Sequence, residues 1–197
     1  MKEQFTDLFR FEEDLVFDDL YPRNIKNLSQ LHWTPLNIAQ MAADFLSEPN
    51  TKILDIGSGV GKFCITAGFY NPQSCFHGIE QRQDLFLFAS LAKNKIGLPN
   101  VEFIHGNLTE LDFDNYDHFY FFNSFYENLH PENSIDKNIE ITADLYDYYT
   151  TFLFDKLDRK PSGTKLVTYH GAKEQVPSSY TLIDGSKHWA LKMWMKR

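Results

Sequence analysis

The chain has 197 residues, 43% of them apolar and 16% aromatic, enough for one globular domain and too hydrophobic for a disordered segment. Its formal charge is −8, from 27 acids against 19 bases. That balance argues against a chain built mainly to coat a phosphate backbone, since such affinity comes from clustered Lys and Arg. Taken in chain order, residues 1–49 are expected to form a helical lead-in. Its opening, MKEQFTDLFRFEEDL, is broken by acids and lacks the apolar run of a secretion signal. Nor does any later stretch hold enough consecutive apolar residues to span a bilayer, so a cytoplasmic location is expected. Phe5, Leu8, Phe9, Phe11, Leu15, Phe17 and Leu20 lie roughly on one helical stripe. Thr34 is placed to cap a helix whose first position is Pro35 and which runs through LNIAQMAADFL, with Pro49 closing it.

From residue 50 the pattern turns to strand–helix alternation. Strands are expected over 51–56, 74–80, 101–106, 116–122 and 163–169. Helices are expected over Val60–Tyr70, over Arg82–Ile96 with Gly97 as its stop, and from Asp136 to about Leu157. Helices of that length between strands imply crossovers and a parallel sheet covered on both faces. At the end, SYTLI and HWALKMWM flank Asp184-Gly185-Ser186-Lys187, which suits an antiparallel hairpin. The expected fold is therefore α/β: a doubly wound, mostly parallel seven-stranded sheet with a C-terminal antiparallel hairpin and helices on both faces. Cys64 and Cys75 fall in elements expected to be buried and form no CxxC pair, so no disulfide framework or zinc knuckle is expected. His77, His105 and His118 fall inside strands, where packing is the expected role. The seven histidines show no ligand spacing, and no metal site is expected.

The informative stretch is ILDIGSGVGKF (53–63), which sets Gly57, Gly59 and Gly61 between a strand and a helix. Glycine there permits positive φ and lets backbone N–H groups approach a ligand. A nucleoside-triphosphate loop needs four residues between its first glycine and Gly-Lys-Ser/Thr. Here three residues separate Gly57 from Gly61-Lys62, and Phe63 replaces the hydroxyl that would hold magnesium. A dinucleotide loop wants GxGxxG, and an acid two residues before its first glycine has no place beside a pyrophosphate. Asp55 is that acid, and it suits a positively charged ligand. Glu80 ends the second strand, nineteen residues past Gly61, where an acid reaches ribose hydroxyls.

The pattern D-x-G-x-G-x-G after a strand resembles motif I of the class I S-adenosylmethionine-dependent methyltransferases. Glu80 and His105-Gly106-Asn107-Leu108 extend the resemblance over the next two strand ends, and it covers about residues 50–130. It implies that Gly57, Ser58, Gly59 and Gly61 cradle S-adenosylmethionine, that Asp55 answers its positive charge, and that Glu80 with Gln81 takes the ribose. It also implies that Asn107 and Leu108 border the adenine and that Asn123 lies near the methyl group. Other roles stay open for three of these: Asp55 as a cap of the following turn, Glu80 as a favourable charge at a helix start, and Asn107 as a turn residue.

The acceptor is expected to meet FFNSFYENLHP (121–131), after the fourth strand. The amino-methylating branch of the family carries Asn/Asp-Pro-Pro-aromatic there; Asn123-Ser124-Phe125-Tyr126 keeps the first and last members and lacks both prolines. Asn123-Ser124-Phe125 is similar to the Asn-Asn-Phe of the non-SET histone lysine methyltransferases, as are DIGSGVG and GIE. The basic extension of that group is absent, so the resemblance implies its fold and cofactor site and not its histone substrate. Asn123 and Tyr126 are expected to face the acceptor, with Glu127 as a weaker candidate for taking a proton. The competing role for Asn123 is capping, and for Phe125 and Trp33 core packing. The lead-in is the natural place for a lid, and Glu12, Glu13, Asp14, Asp18 and Asp19 suit either a cationic substrate or a solvated face. The expected activity is methyl transfer to an amine nitrogen on a protein or small molecule, nucleic acid being less expected. A non-catalytic S-adenosylmethionine-binding scaffold is the rival, and a nicotinamide-dependent oxidoreductase a distant third.

Overall fold

A computed structural model of the chain describes residues 13–171, 175–185 and 188–197. Phe5, Leu8, Phe9, Phe11 and Glu12 of the predicted lead-in, and Ser186 and Lys187 of the predicted turn, lie outside the described residues. The lead-in forms three short helices, α1 (Asp14–Asp18), α2 (Arg23–Lys26) and α3 (Ser29–His32), followed by α4 (Leu36–Leu46). Then come β1 (Lys52–Ile56), α5 (Lys62–Tyr70), β2 (Cys75–Glu80), α6 (Gln83–Ile96), β3 (Val101–His105) and β4 (His118–Phe121). The chain closes with α7 (Ala143–Asp158), β5 (Lys165–Tyr169), β6 (Tyr180–Asp184) and β7 (Leu191–Lys196).

The seven strands make one sheet in the order β3-β2-β1-β4-β5-β7-β6. β1 to β5 are parallel, while β7 runs antiparallel to both β5 and β6. The chain moves outward from β1 through β2 to β3, then returns to β4 on the other side of β1. In an open α/β sheet the ligand crevice forms at such a reversal, outside the carboxyl ends of the strands. Register places those ends together, with Ile56 opposite both Ile79 and Phe121 and Glu80 opposite His105.

Strand alternation divides the core in two. Ile53, Phe76, Tyr120 and Val167 pack on one face beneath α4, α5 and α6 with Phe17, Trp33 and Phe63. Leu54, Ile79, Phe119, Phe121 and Leu166 pack on the other against Leu153 and Leu157 of α7. Among the described residues no helix is long and apolar enough to cross a membrane.

Four expectations are corrected. Among the described residues the expected helical stripe does not keep to one buried face: Leu15 is left 70% exposed while Phe17 is fully buried. Thr34 does not cap α4, because its hydroxyl pairs with Tyr120 Oη at 2.9 Å; Pro35 occupies the cap position and Asp14 accepts the Leu36 N–H. The last long helix starts at Ala143 and not at Asp136. Thr142 caps it through the Leu145 N–H, and Asp136 is instead drawn to Arg82 and to the Asn138 N–H. Cys75 opens β2 and is exposed, unlike buried Cys64.

Candidate functional site

A cavity of about 900 Å³ opens at the carboxyl ends of β1 to β5. Its floor is the glycine turn, where Gly57, Gly59 and Gly61 hold φ of 76°, 55° and 84°. A Cβ at Gly57 would stand 2.5 Å from the Ser124 side chain, and one at Gly61 would stand 2.3 Å from the Phe103 ring. Gly59 has nothing within 4 Å of that position and faces open space. Its left-handed backbone still disfavours any side chain. The turn's amides are used within the chain: Gly57 and Ser58 donate to the Ile79 carbonyl, Gly61 to Ser58, and Gly59 to Glu80 Oε2 at 2.9 Å.

Glu80 is 5% exposed on the cavity wall, with Oε1 accepting the Arg82 N–H at 2.8 Å. Burial raises its pKa, opposed by the Arg82 and Gly59 N–H groups and by the guanidinium of Arg82. Beside it, Asn107 Nδ2 donates to Tyr149 Oη at 2.9 Å and to Gln81 Oε1 at 3.4 Å, while its Oδ1 accepts from Thr109. Asn107 thus builds a capped turn and also borders the cavity.

On the far wall, Ser124 Oγ donates to the Ile56 carbonyl at 2.6 Å and locks the end of β4 to the end of β1. Asn123 adopts φ 39°, its carbonyl accepting the Tyr126 N–H, and its side-chain amide has no hydrogen-bond partner among the described residues. Tyr126 is 41% exposed and stacks on His130 with ring centres 4.2 Å apart. Phe125 is core, against Phe121. Glu127 accepts from Arg82 Nη2 at 2.7 Å and from the Ile135 N–H at 3.1 Å.

Of the residues expected at a site, Gly57, Gly59, Glu80, Gln81, Asn107, Leu108, Asn123 and Tyr126 converge on this one cavity. Asp55, Ser58 and Gly61 do not line it. Alternation turns Asp55 toward α5, where Cys64 Sγ donates to it at 3.6 Å and burial pushes its pKa up to about 8. Ser58 is wedged against Gly78 with its hydroxyl unpartnered, and Gly61 shapes the start of α5. Asp55 and Ser58 border instead a small void of about 20 Å³ beside Trp33 and Tyr120. Wall residues that had not been singled out from the sequence include Arg82, Tyr149, Tyr169 and His170. Tyr149 falls inside the helix expected to end near Leu157, where nothing local marks a wall residue. Arg82 follows the Glu80-Gln81 pair directly, yet its partners Glu127 and Asp136 lie 45 and 54 residues away.

The strand order, the antiparallel last strand and the D-x-G-x-G-x-G turn define a class I, Rossmann-like, S-adenosylmethionine-dependent methyltransferase. Residues 47–180 match the family described as a methyltransferase domain, and the chain belongs to that family. An RNA methyltransferase from Salinibacter ruber in complex with S-adenosyl-L-homocysteine has a similar fold. Its TM-score is 0.54 over 83% of this chain and 92% of that one, at 19% identity. TrmN from Thermus thermophilus gives 0.58 over 88% of this chain and 51% of that one, at 16% identity. A tRNA (guanine-N(7)-)-methyltransferase from Microcystis aeruginosa is 40% identical over 55 residues, which is 28% of this chain and 26% of that protein. The chain therefore matches about a quarter of that relative's length.

Proposed function

We propose that this chain transfers a methyl group from S-adenosylmethionine to a nitrogen atom of an acceptor held over Asn123. Glu80 carries the reading. An ionised carboxylate offers about four lone-pair sites. Backbone N–H groups of Gly59 and Arg82 take two of them, which leaves room for the two hydroxyls of a ribose. Gly57 and Gly59 let the backbone approach the ligand, and Gln81, Asn107 and Leu108 form the wall beside the base. Asp55, Ser58 and Gly61 act one layer back by fixing the turn. When bound, the cofactor supplies an electrophilic methyl group on a sulfonium. The chain's own task is then to orient the nucleophile and exclude water.

Asn123 suits that task, since its amide oxygen, without a partner among the described residues, can accept an amine N–H and aim the nitrogen lone pair. Tyr126 shields the same side. Glu127 is committed to Arg82 and the Ile135 N–H, which removes it as a free proton acceptor. Helices α1 and α3 wall the cavity at Asp14, Leu15, Ser29 and His32, and the lead-in acts in this reading as a lid over residues 50–197. The acceptor nitrogen belongs to a small molecule or a protein. The names of the relatives favour a second reading, an RNA acceptor, against which the net charge of −8 weighs.

Glu80→Ala tests the cofactor site. Charged hydrogen bonds contribute roughly 1.5–3 kcal/mol, so S-adenosylmethionine should bind about tenfold to a hundredfold more weakly by calorimetry. Unchanged affinity in a folded variant would take Glu80 out of the site.

A further inference from the structure

Beyond the glycine turn, the cavity runs on to the carboxyl ends of β4 and β5, which pair in parallel with Phe121 opposite Thr168. Each end carries a non-glycine residue at positive φ, Asn123 at 39° and His170 at 54°, and both line the cavity. Held strain of this kind recurs where a side chain must be aimed. His170 heads a run of rings: Tyr169 at 4.4 Å, Trp189 edge-on at 5.2 Å and Phe122 at 5.8 Å. Trp189 is 78% exposed, the most exposed large apolar residue among those described. It marks the outer end of an aromatic path that leads inward to Phe122 and, next in the chain, Asn123.

The charges on the wall are as selective as the rings. Its described residues include four acids, Asp14, Asp18, Glu80 and Glu127, and only two of the Lys and Arg side chains. Both cations are doubly paired. Lys62 meets Asp14 at 2.6 Å and Asp18 at 2.7 Å, and Arg82 meets Glu127 at 2.7 Å and Asp136 at 3.2 Å. Neither is left to receive a phosphate or a carboxylate. Partial burial and the neighbouring His188 lower the pKa of His170, so it faces the cavity uncharged at neutral pH.

We infer that the acceptor is a flat, nitrogen-bearing ring compound without negative charge, which enters over the carboxyl ends of β4 and β5 and is held by the faces of Phe122, Tyr169, His170 and Trp189. Aromatic faces attract cations and stack on planar rings without discriminating among their edges. An anion in the same place would meet no free Lys or Arg among the described wall residues, since Lys62 and Arg82 are each held by two acids. This inference rests on the methyl-transfer reading above, because it assigns the part of the cavity that the cofactor residues leave open.

The test uses the whole protein saturated with S-adenosyl-L-homocysteine, so that only the remaining space is probed. Calorimetry is run with 4-aminoquinoline, quinoline and quinoline-4-carboxylate, matched rings that are cationic, neutral and anionic. The amine and the neutral ring should bind, with the carboxylate at least about tenfold weaker, or ~1.4 kcal/mol. Trp189→Ala and His170→Ala should each weaken the amine by about tenfold while S-adenosyl-L-homocysteine affinity stays within about twofold. Equal or tighter binding of the carboxylate would overturn the inference, as would wild-type affinity for the amine in both variants or binding of none of the rings. A short single-stranded oligoribonucleotide that binds more tightly than the amine would also overturn it, in favour of RNA. Failure of S-adenosyl-L-homocysteine itself to bind would strike the cofactor reading instead, and ring binding could still be measured on the free protein.

Discussion

Asp55 stands two residues before the first glycine of the turn, where the sequence invites a role against a cationic ligand. The strand places its carboxyl on the face shared with Ile53 and Tyr120, under α5, in contact with Cys64. Burial is the largest influence on it, outweighing the Cys64 hydrogen bond, and the charge of Glu80 pushes the same way. Its pKa rises from 3.8 to about 8. Between those values the folded protein keeps a proton that the unfolded chain releases, so this group's contribution to stability is fully present below about pH 4 and is lost as pH rises through 8. Asp55→Asn removes that dependence. In urea unfolding at a series of pH values, the variant should gain on the wild type steadily from pH 4 to pH 8. A constant difference across the series would mean that Asp55 is ionised throughout.

At the level of elements, the lead-in and the glycine turn form one unit. The cation that Asp14 and Asp18 meet is not a substrate but Lys62, the first residue of α5, whose Nζ also lies 5.2 Å from the Phe17 ring and 5.6 Å from the Trp33 ring. Asp19 pairs locally with Lys26. Asp14 also accepts the first N–H of α4, so α1 ties α4 and α5 together beside the cavity. Lys62 and Asp18 are both nearly buried, and removing one member of such a pair strands the other charge. Asp18→Ala and Lys62→Met should therefore each cost about 3–5 kcal/mol. The double variant should lose much less than the two together, with a coupling of roughly 0.5–3 kcal/mol in a denaturant cycle. Strict additivity would show that the buried ion pair does not anchor α1.

For the molecule as a whole, the cavity lies where β1, the first strand of the winding, is flanked by β2 and β4, so a ligand held there would draw on both halves of the sheet. A ligand that binds only the folded state at about a hundred times its Kd stabilises by ~2.7 kcal/mol. For a chain of 197 residues that corresponds to a Tm rise of roughly 5–10 °C. S-adenosyl-L-homocysteine should produce this shift in a thermal melt, and Glu80→Ala should need a correspondingly higher concentration to match it. A melting temperature indifferent to concentration would detach that ligand from the cavity.

The seven strands, their α/β winding and the position of the glycine turn can be read from the residue pattern alone. Those properties are local: short, nearly continuous apolar runs mark the buried strands in TKILDI and YDHFYFF, and the left-handed backbone at Gly57, Gly59 and Gly61 has few residues that can adopt it. The places of Glu80 and Asn107 on the cavity wall were legible for the same reason, since one ends a strand and the other follows one, and the pattern fixes both strand ends. What each polar side chain faces was decided only by tertiary structure. Thr34 has the local look of a helix cap, yet Tyr120, 86 residues away, takes its hydroxyl. Lys62 and Asp18 are 44 residues apart, and Arg82 meets acids from two later loops, one of which holds Asp136 out of the helix expected there. A charge leaving water must find a partner wherever the strand order brings one. Strand order, a property of the whole sheet, chose those partners, and with them left the cavity acidic, ring-lined and without an unpaired Lys or Arg among its described residues.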